Sequence, residues 1–328
     1  MHPTFPPAKF QSFSEISDPD LIKPRVKKLR SLMQSKKLDA WLTPHSDVHR
    51  SESLPKNQRR LAHITGFTGS AGTAIIGTNN AALFVDGRYT MQAPLQTDTG
   101  IFEILEIPNE KPGAWAKNNL KPKAQIGFDP WLHTIAEIRS FNLQLKNHGV
   151  LLATENLIEK IWDDRPPPPF KNIELLEVGR AGVAAKEKIL AIQNHLEDKN
   201  ADALILNMPE SICWLLNIRG RDVPNTPVVL AFAIVHKTKK PELFVDLKKL
   251  SPEQSQLLSA IVTLRTMEEF SVSLEKLAKD KARIWVDPTT CPDAIYKLLS
   301  EKGATIFEAP DPVVATKAIK NPTEVAGM

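Results

Sequence analysis

Three stretches of this chain carry residue types that could perform chemistry. The first contains a His-x-Asp-x-His pattern, formed by His45, Asp47 and His49, with Glu52 close behind. Two histidines four residues apart can share a metal ion when a helix places them on one face. Pro44 precedes the pattern and no apolar periodicity surrounds it. We therefore predict a polar loop bordering a cleft or an interface, and no metal site.

The second stretch, from Gly66 to Thr73, has the glycine content of loops that bind phosphate. It matches neither G-x-G-x-x-G nor G-x-x-x-x-G-K-[ST], and a strand follows it where a phosphate site needs a helix N-terminus. Ser70 is not in a nucleophile elbow, because Thr68 stands where G-x-S-x-G requires its first glycine. The sequence predicts tight turns and close backbone packing here.

The third stretch runs from Ser211 to Pro224 and changes from apolar to charged. Its charged residues, Arg219, Arg221 and Asp222, fit either a surface salt-bridge cluster or a cleft that takes peptide or carboxylate groups. Paired catalytic carboxylates, an H-E-x-x-H helix and a serine triad are not identifiable. The residues alone therefore predict no catalytic centre.

Composition narrows the class of protein. At 328 residues the chain is long enough for two domains, and 42% hydrophobic with 24% charged residues is typical of a soluble globular protein. The formal net charge of +4 is spread along the chain without interleaved aromatic residues, which argues against nucleic-acid binding. Two cysteines cannot form a disulfide framework, and no apolar run reaches the ~18 residues of a membrane span. A secretory signal is not apparent either. We expect a soluble, intracellular protein.

Hydrophobic periodicity places these stretches on an α/β framework. The sequence predicts a helix over 21–36, a strand over 39–42, a β-hairpin with strands over 74–76 and 81–85, and a helix over 134–146 capped by Gly149. Later in the chain it predicts a helix over 186–199, a strand over 202–206 and a second hairpin over 228–246. Because each unit contains a hairpin among helix-connected strands, we expect a mixed sheet flanked by helices.

The two units are repeats of each other. Landmarks in the same order recur 154 to 163 residues apart: Asp39-Ala40 with Asp202-Ala203, Phe84–Asp86 with Phe244–Asp246, Phe128–Pro130 with Val286–Pro288, and Gly149 with Gly303. Four consecutive prolines, 166–169, separate the units and favour a stiff spacer. We predict a first domain over 1–165, a linker over 166–170, a second domain over 171–314 and the start of a further domain over 315–328.

Several motifs carry a resemblance to a known family. ITGFTGSAGTAII (64–76), followed by Asp86-Gly87-Arg88-Tyr89, resembles the creatinase-type N-terminal domain of Xaa-Pro aminopeptidases, also called aminopeptidase P. The loop 46–52 resembles the Asp-x-His-x-Ser-Glu loop of the long, cytosolic type, although Ser53-Leu54 stands where that family has an aromatic residue. WLLNIRGRDVPNTPV (214–228) is similar to the second domain of that type, and 311–328 resembles the entry to its third.

The resemblance implies two tandem creatinase-like domains from a three-domain, dimeric, cytoplasmic metallopeptidase that removes an N-terminal residue before proline. It also implies two divalent cations, usually manganese, held by two Asp, one His and two Glu of the third domain, where a metal-bridging hydroxide attacks the peptide. None of these five ligands can be assigned to this chain, which stops at Met328 within a predicted helix. We therefore expect the 328 residues alone to be inactive.

The resemblance gives the two domains a role in restricting access to the catalytic cleft and in dimerisation. The candidate cleft-lining residues are His49, Arg59, Arg60, Arg219 and Asp222. The expected substrates are peptides with an Xaa-Pro N-terminus, with no nucleic-acid or membrane partner. An alternative from another class is a metal-free, aminopeptidase-like module that binds proteins.

Overall fold

The computed structural model describes residues 17–328, which form two α/β domains. The elements of domain I, in chain order, are α1 Ile22–Ser35, β1 Ala40–Pro44, α2 Arg60–Thr65, β2 Gly72–Gly77, β3 Ala81–Asp86, α3 Gln92–Gln96, β4 Glu103–Ile107, α4 Pro112–Asn119, β5 Ala124–Phe128, α5 Ile135–Leu145, β6 Gly149–Ala153 and α6 Leu157–Ile161. This set confirms the predicted first helix and hairpin.

Helix α1 forms because its apolar residues recur at helical spacing. Val26, Leu29 and Met33 are buried, while the lysines between them face solvent. Helix α5 begins with a capping box, in which the Thr134 side chain accepts from the Glu137 amide and the Glu137 side chain accepts from the Thr134 amide.

The sheet of domain I has six strands in the order β4-β3-β2-β1-β5-β6. Strand β1 runs antiparallel to β2 and parallel to β5, so the sheet is mixed as predicted. Helices cover both faces, and the two apolar cores lie on opposite sides of the sheet. Trp41 belongs to one core and Leu42 to the other, as strand alternation requires.

Domain II is built from a second set of elements. These are β7 Glu174–Leu175, α7 Val178–Ala181, α8 Ala185–Asp198, β8 Ala203–Leu206, α9 Pro209–Leu216, β9 Ile218–Arg219, β10 Phe232–His236, β11 Glu242–Phe244, α10 Pro252–Ser259, β12 Thr263–Arg265, α11 Glu269–Lys279, β13 Arg283–Val286, α12 Asp293–Glu301, β14 Thr305–Glu308, α13 Pro312–Ala318 and α14 Pro322–Gly327. The strands β7 and β9 form a small sheet of their own.

The main sheet of domain II repeats the first strand for strand, in the order β12-β11-β10-β8-β13-β14. Equivalent aspartates end the loop before the central strand of each domain. The amide and carboxylate of Asp39 bond to the backbone of Gln125, and those of Asp202 bond in the same way to Arg283. The predicted duplication is confirmed.

Two details differ from the sequence prediction. Helix α5 ends at Leu145, its C-cap is Lys146 with a left-handed φ of 50°, and Gly149 begins β6 instead of capping the helix. The predicted boundary after residue 314 falls inside α13. The prolines 166–169 do lie between the two main sheets, in neither helix nor strand.

The two domains meet through equivalent segments related by an approximate two-fold axis. Thr134 forms an antiparallel bridge with its counterpart Pro292. On one side Ala136 donates to Pro288 at 2.9 Å, and on the other Ala294 donates to Pro130 at 3.0 Å. A bidentate ion pair between Arg139 and Glu308 flanks the bridge, with both contacts at 2.6 Å. The repeats therefore pair like two subunits of a dimer within one chain.

Candidate functional site

The charged stretch that follows α9 lines a groove of about 890 Å³. Helix α14 lines it too, through Thr323 and its last turn. The charged groups at the groove are Glu174, Arg180, Arg219 and Arg221. Three guanidinium groups beside one carboxylate favour binding of a carboxylate ligand. Nε of Arg221 lies 3.7 Å from a Glu174 carboxylate oxygen in an exposed ion pair, so this stretch has both a surface salt bridge and a groove wall, and the binding of peptide or carboxylate groups stays a prediction.

Arg219 is positioned by the end of α9. The helix begins at Pro209 and is terminated by Asn217, whose φ of 52° turns the chain back. This reversal brings Nη1 of Arg219 within 3.1 Å of the Cys213 carbonyl and 2.8 Å of the Ile218 carbonyl, to which it donates. The half-buried guanidinium is thereby held at the groove.

Asp222 lies under the same loop and does not line the groove. Its side chain is buried and accepts from Nζ of Lys249 at 2.8 Å and from the Leu230 amide at 2.9 Å. Its own amide donates to the Val228 carbonyl. A buried, hydrogen-bonded ion pair of this kind fixes loop geometry, because either partner alone would be an uncompensated charge.

His49 reaches from domain I into domain II. Its ring packs on Phe232 with centroids 4.6 Å apart, and Nδ1 is 3.3 Å from the Asn207 carbonyl oxygen. Burial lowers the pKa of His49, although the charges of Asp47 and Asp222 act to raise it. The structure therefore places the His49 ring at the interface between the two domains, against Phe232 and Asn207.

The loop before His49 is organised by Asp47. One carboxylate oxygen of Asp47 accepts from the amides of His49 and Ser51, at 3.0 and 2.9 Å. This local arrangement is a polar loop at an interface, one of the two surroundings predicted for it. One of the two Asp47 carboxylate oxygens is thus committed to the backbone, and the other has no hydrogen-bond partner.

Arg59 and Arg60 lie elsewhere in domain I and do not line the groove. Arg60 is 3% exposed and forms an ion pair with Glu159, which Arg165 also contacts at 2.6 Å. Arg59 is exposed and donates from Nε to the Leu54 carbonyl at 3.2 Å. The structure thus connects Arg60 to the packing of α2 against α6.

Within residues 17–328, no group of three or more His, Cys, Asp and Glu side chains could hold a metal ion. One carboxylate oxygen of Asp47 accepts from two backbone amides and the His49 ring packs on Phe232, whereas the other oxygen of Asp47 is buried without a hydrogen-bond partner. The part of the chain that the structure describes therefore does not fit the two-cation centre that the resemblance implies, and we derive no step of a reaction through it. Nor is any helix in this range long and apolar enough to cross a membrane.

Sequence reasoning missed three hydrogen-bond partners of candidate residues and of α9. Lys249 neutralises Asp222, Asn207 meets His49, and Glu324 of α14 accepts from the Trp214 indole at 2.9 Å. Each partner is between 27 and 158 residues away along the chain. No local pattern signals such pairs.

The buried amine of Lys188 binds the C-terminal end of α9. Nζ of Lys188 donates to the Trp214 carbonyl at 3.0 Å and to the Asn217 side chain at 2.8 Å, and lies 4.1 Å from the Trp214 ring centroid. Burial lowers the pKa of Lys188 to about 8. Lys188 thereby supplies a second donor to the Trp214 carbonyl near the helix end, which accepts only a long bond of 3.5 Å from the Asn217 amide.

Family models match nearly the whole chain. One model for the Creatinase/Prolidase N-terminal domain matches residues 25–161, and a second model of the same description matches residues 164–324. The two matches fall on domains I and II respectively. They agree with the duplication seen in the sequence and in the two sheets.

The chain is also similar to individual proteins. It is 34% identical to "Aminopeptidase P2" of Arabidopsis thaliana, over 89% of this chain and 46% of that protein. A "Probable Xaa-Pro aminopeptidase P" of Aspergillus niger is 34% identical over 93% of this chain and 51% of that protein. Thus the chain spans about half the length of the curated relatives it matches.

One solved structure superposes along most of the chain. It is an X-prolyl aminopeptidase from Caenorhabditis elegans, described as a cytosolic enzyme with a di-nuclear active site. The TM-score is 0.86 at 26% identity, covering 93% of this chain and 53% of that one.

Proposed function

Because this chain belongs to the Creatinase/Prolidase N-terminal domain family, we propose that it is the non-catalytic N-terminal portion of a metal-dependent Xaa-Pro aminopeptidase. The two domains restrict access to the catalytic cleft, and the whole protein releases an N-terminal residue that precedes proline. Two divalent cations, manganese in this proposal, bind in a part of the protein other than domains I and II.

The observation that carries the proposal is the groove beside α14. The groove combines three guanidinium groups with backbone that is locked by the Asp222–Lys249 pair. A locked cationic wall can orient the carboxylate groups of a peptide without paying the entropy of ordering a loop. The fold that carries the groove superposes on an aminopeptidase described as having a di-nuclear active site, and this supports a role at the entrance of a peptide cleft.

The test compares the complete product of the gene with the 328-residue chain. Both are assayed for manganese-dependent cleavage of an Xaa-Pro peptide, with an Xaa-Ala peptide as control. We expect cleavage of the Xaa-Pro peptide by the complete product only. A complete product without activity would favour the protein-binding module, and cleavage by the 328 residues alone would overturn the assignment of the chemistry to another part.

The groove itself is tested by Arg219→Ala in the complete product. We expect kcat/KM on Xaa-Pro peptides to fall about tenfold or more, since a charge-assisted bond to a carboxylate is lost. Arg59→Ala is the matched control, because Arg59 is an arginine of domain I outside the groove. If Arg219→Ala kept the wild-type kcat/KM, the groove beside α14 would not be part of the cleft that binds the peptide.

We extend the proposal to a cytoplasmic homodimer. The similar C. elegans enzyme is described as cytosolic. Light scattering on the complete product measures the subunit number, and fractionation of cells expressing it measures the location. A monomer, or a product recovered outside the cytosol, would contradict this extension without touching the proposed chemistry.

A further inference from the structure

A second groove, in domain I, is strongly basic. It has a volume of about 1040 Å³ and lies where α1 meets the β2–β3 turn and the segment before β5. Its charged lining consists of Lys23, Lys27, Arg30, Lys37, Lys121 and Lys123, opposed only by Asp39. We call it the basic groove. It is separate from the groove beside α14, which lies in domain II.

The single carboxylate of the basic groove is already engaged. One oxygen of Asp39 is 2.7 Å from Nζ of Lys121, and the other accepts from the Gln125 amide at 2.8 Å. The remaining lysines of the groove are exposed. The groove therefore presents concentrated positive charge to solvent.

Domain II shows that the fold does not require the positive charge of Arg30. Arg30 donates to the carbonyls of Gly77 and Asn80 in the hairpin turn of domain I. In domain II the equivalent Gln193 donates to the matching carbonyls, His236 and Lys239, at 2.9 and 3.0 Å. A neutral amide makes the same two bonds, so the positive charge of Arg30 is not needed to hold the turn.

Two further basic residues, one in α1 and one just after it, are also replaced by uncharged residues in domain II. The strand registers and the equal lengths of α1 and α8 align Lys27 with Leu190 and Lys37 with Asn200. Glu197 occupies the position of Gln34, which lines the basic groove.

Lys23, Lys121 and Lys123 do recur in domain II, as Lys186, Lys279 and Lys281. The positive charges of Arg30, Lys27 and Lys37 are therefore particular to domain I, and the fold forms without them. Their addition to the groove calls for a ligand.

The chemistry of the lining identifies the class of ligand. Ile101 is partly exposed among the lysines, whose methylene stems are also apolar, whereas Val26 and Leu38 of the lining are buried. None of the lining residues, all within the described range, is aromatic, so bases would find no stacking surface. We infer that the basic groove binds an extended acidic polypeptide segment whose glutamate or aspartate residues alternate with apolar ones. This inference is independent of the proposed peptidase function.

Binding is tested on this chain directly by fluorescence anisotropy with a fluorescein-labelled Glu-Leu repeat peptide. The comparison probes are polyglutamate, oligo-dT and tripolyphosphate. We expect the Glu-Leu peptide to bind most tightly, with an affinity that falls as salt is added. Tighter binding of oligo-dT or tripolyphosphate, or no binding of the Glu-Leu peptide, would overturn the inference.

Charge reversal locates the site. The triple variant Lys23→Glu, Lys27→Glu, Lys37→Glu changes two exposed residues of α1 and one of the turn that follows it. We expect it to weaken peptide binding by at least about tenfold, since three favourable ion pairs become repulsive. The matched control is Lys186→Glu, Lys279→Glu, Lys281→Glu, which changes the same net charge at equivalent regions of domain II.

Circular dichroism melting confirms that both triple variants fold. A second variant has glutamine at positions 23, 27 and 37 and separates the effect of charge from that of shape. Its loss of peptide affinity is expected to be intermediate. Equal loss in the domain I and domain II variants would show that net charge alone attracts the peptide, and would overturn the assignment to the basic groove.

Discussion

Domains I and II share one sheet topology but stabilise their polar loops in different ways. Domain I holds four buried or partly buried histidines with lowered pKa values, at positions 45, 49, 63 and 133. Domain II relies on a buried ion pair, Asp222 with Lys249, beneath its charged loop. Features that both domains share belong to the fold, such as the paired hydrogen bonds that Asp39 and Asp202 each make to a neighbouring strand. What differs between them marks where each domain has its own task.

The largest effect is expected where domain II depends on its ion pair. Asp222→Ala leaves the ammonium group of Lys249 buried without its partner, so the free energy of unfolding should fall by about 4 kcal/mol. Urea denaturation measures it, with Asp86→Ala as control. Asp86 pairs with Arg88 in domain I, but Arg88 is exposed, and such pairs contribute little. Equal losses of unfolding free energy in Asp222→Ala and Asp86→Ala would show that the two domains do not differ in their dependence on these ion pairs.

The coupling of the two domains is tested at Ile135. This residue of domain I is 1% exposed and packs into the core of domain II with Phe232 and Ile295. Ile135→Ala should cost about 3 kcal/mol and broaden or split the calorimetric transition, because the interface loses apolar contact. Leu143→Ala, on the exposed face of the same helix, is the control. A single, unshifted transition would mean that the domains unfold independently of this contact.

As the pH is lowered, domain I should lose stability before domain II does. Burial lowers the pKa of His133 to about 4, whereas a histidine in the unfolded chain titrates near about 6.5. Between these values the unfolded state binds more protons than the folded state, so stability falls as the pH is lowered through the window. At pH 5 His133 alone should cost about 2 kcal/mol relative to pH 7.

Trp162 provides a fluorescence signal for this acid unfolding, because its indole stacks on His63 of domain I at 4.4 Å. His133→Gln should reduce the difference in unfolding free energy between pH 7 and pH 5, and the exposed His195→Gln should leave it unchanged. An unaltered pH dependence in His133→Gln would show that this side chain does not set the acid limit of domain I.

The smallest effect is expected where the domains are interchangeable. Arg30→Gln installs the residue that domain II uses at the equivalent position, so the free energy of unfolding should change by less than about 0.5 kcal/mol. Arg30→Ala removes both bonds to the turn and should cost about 1 to 2 kcal/mol. Thermal melting of the two variants measures the difference. A loss in Arg30→Gln as large as in Arg30→Ala would show that the domains are not equivalent here.

Much of the fold was predictable because its signals are local. The hairpin around 77–80, the helix α1 and the repeated Asp-Ala and Asp-Pro landmarks each depend on residue types within a few positions. Gly66 illustrates the same point. Its φ of 79° ends α2, and a Cβ there would lie 2.2 Å from the Gln96 carbonyl, so the glycine-rich stretch serves turns and close packing as predicted.

The candidate site was predictable only in part. Arg219 was found from the charged end of an apolar stretch, and the structure places it at a groove. Arg60 belongs to a similar charged stretch but is buried against Glu159, 99 residues away. Side-chain type alone could not separate these two arginines, because the partner of each is supplied by a different element.

The sequence by itself determined two α/β units, their order and their family, since periodicity, turns and motifs are written within short windows of the chain. Only the tertiary structure decided how the units pair about Thr134 and Pro292, and which charges are buried with partners. It also decided that His49 of one unit meets Asn207 of the other. The physical reason is that burial and electrostatic interactions depend on distance in space, and chain separation carries no record of that distance.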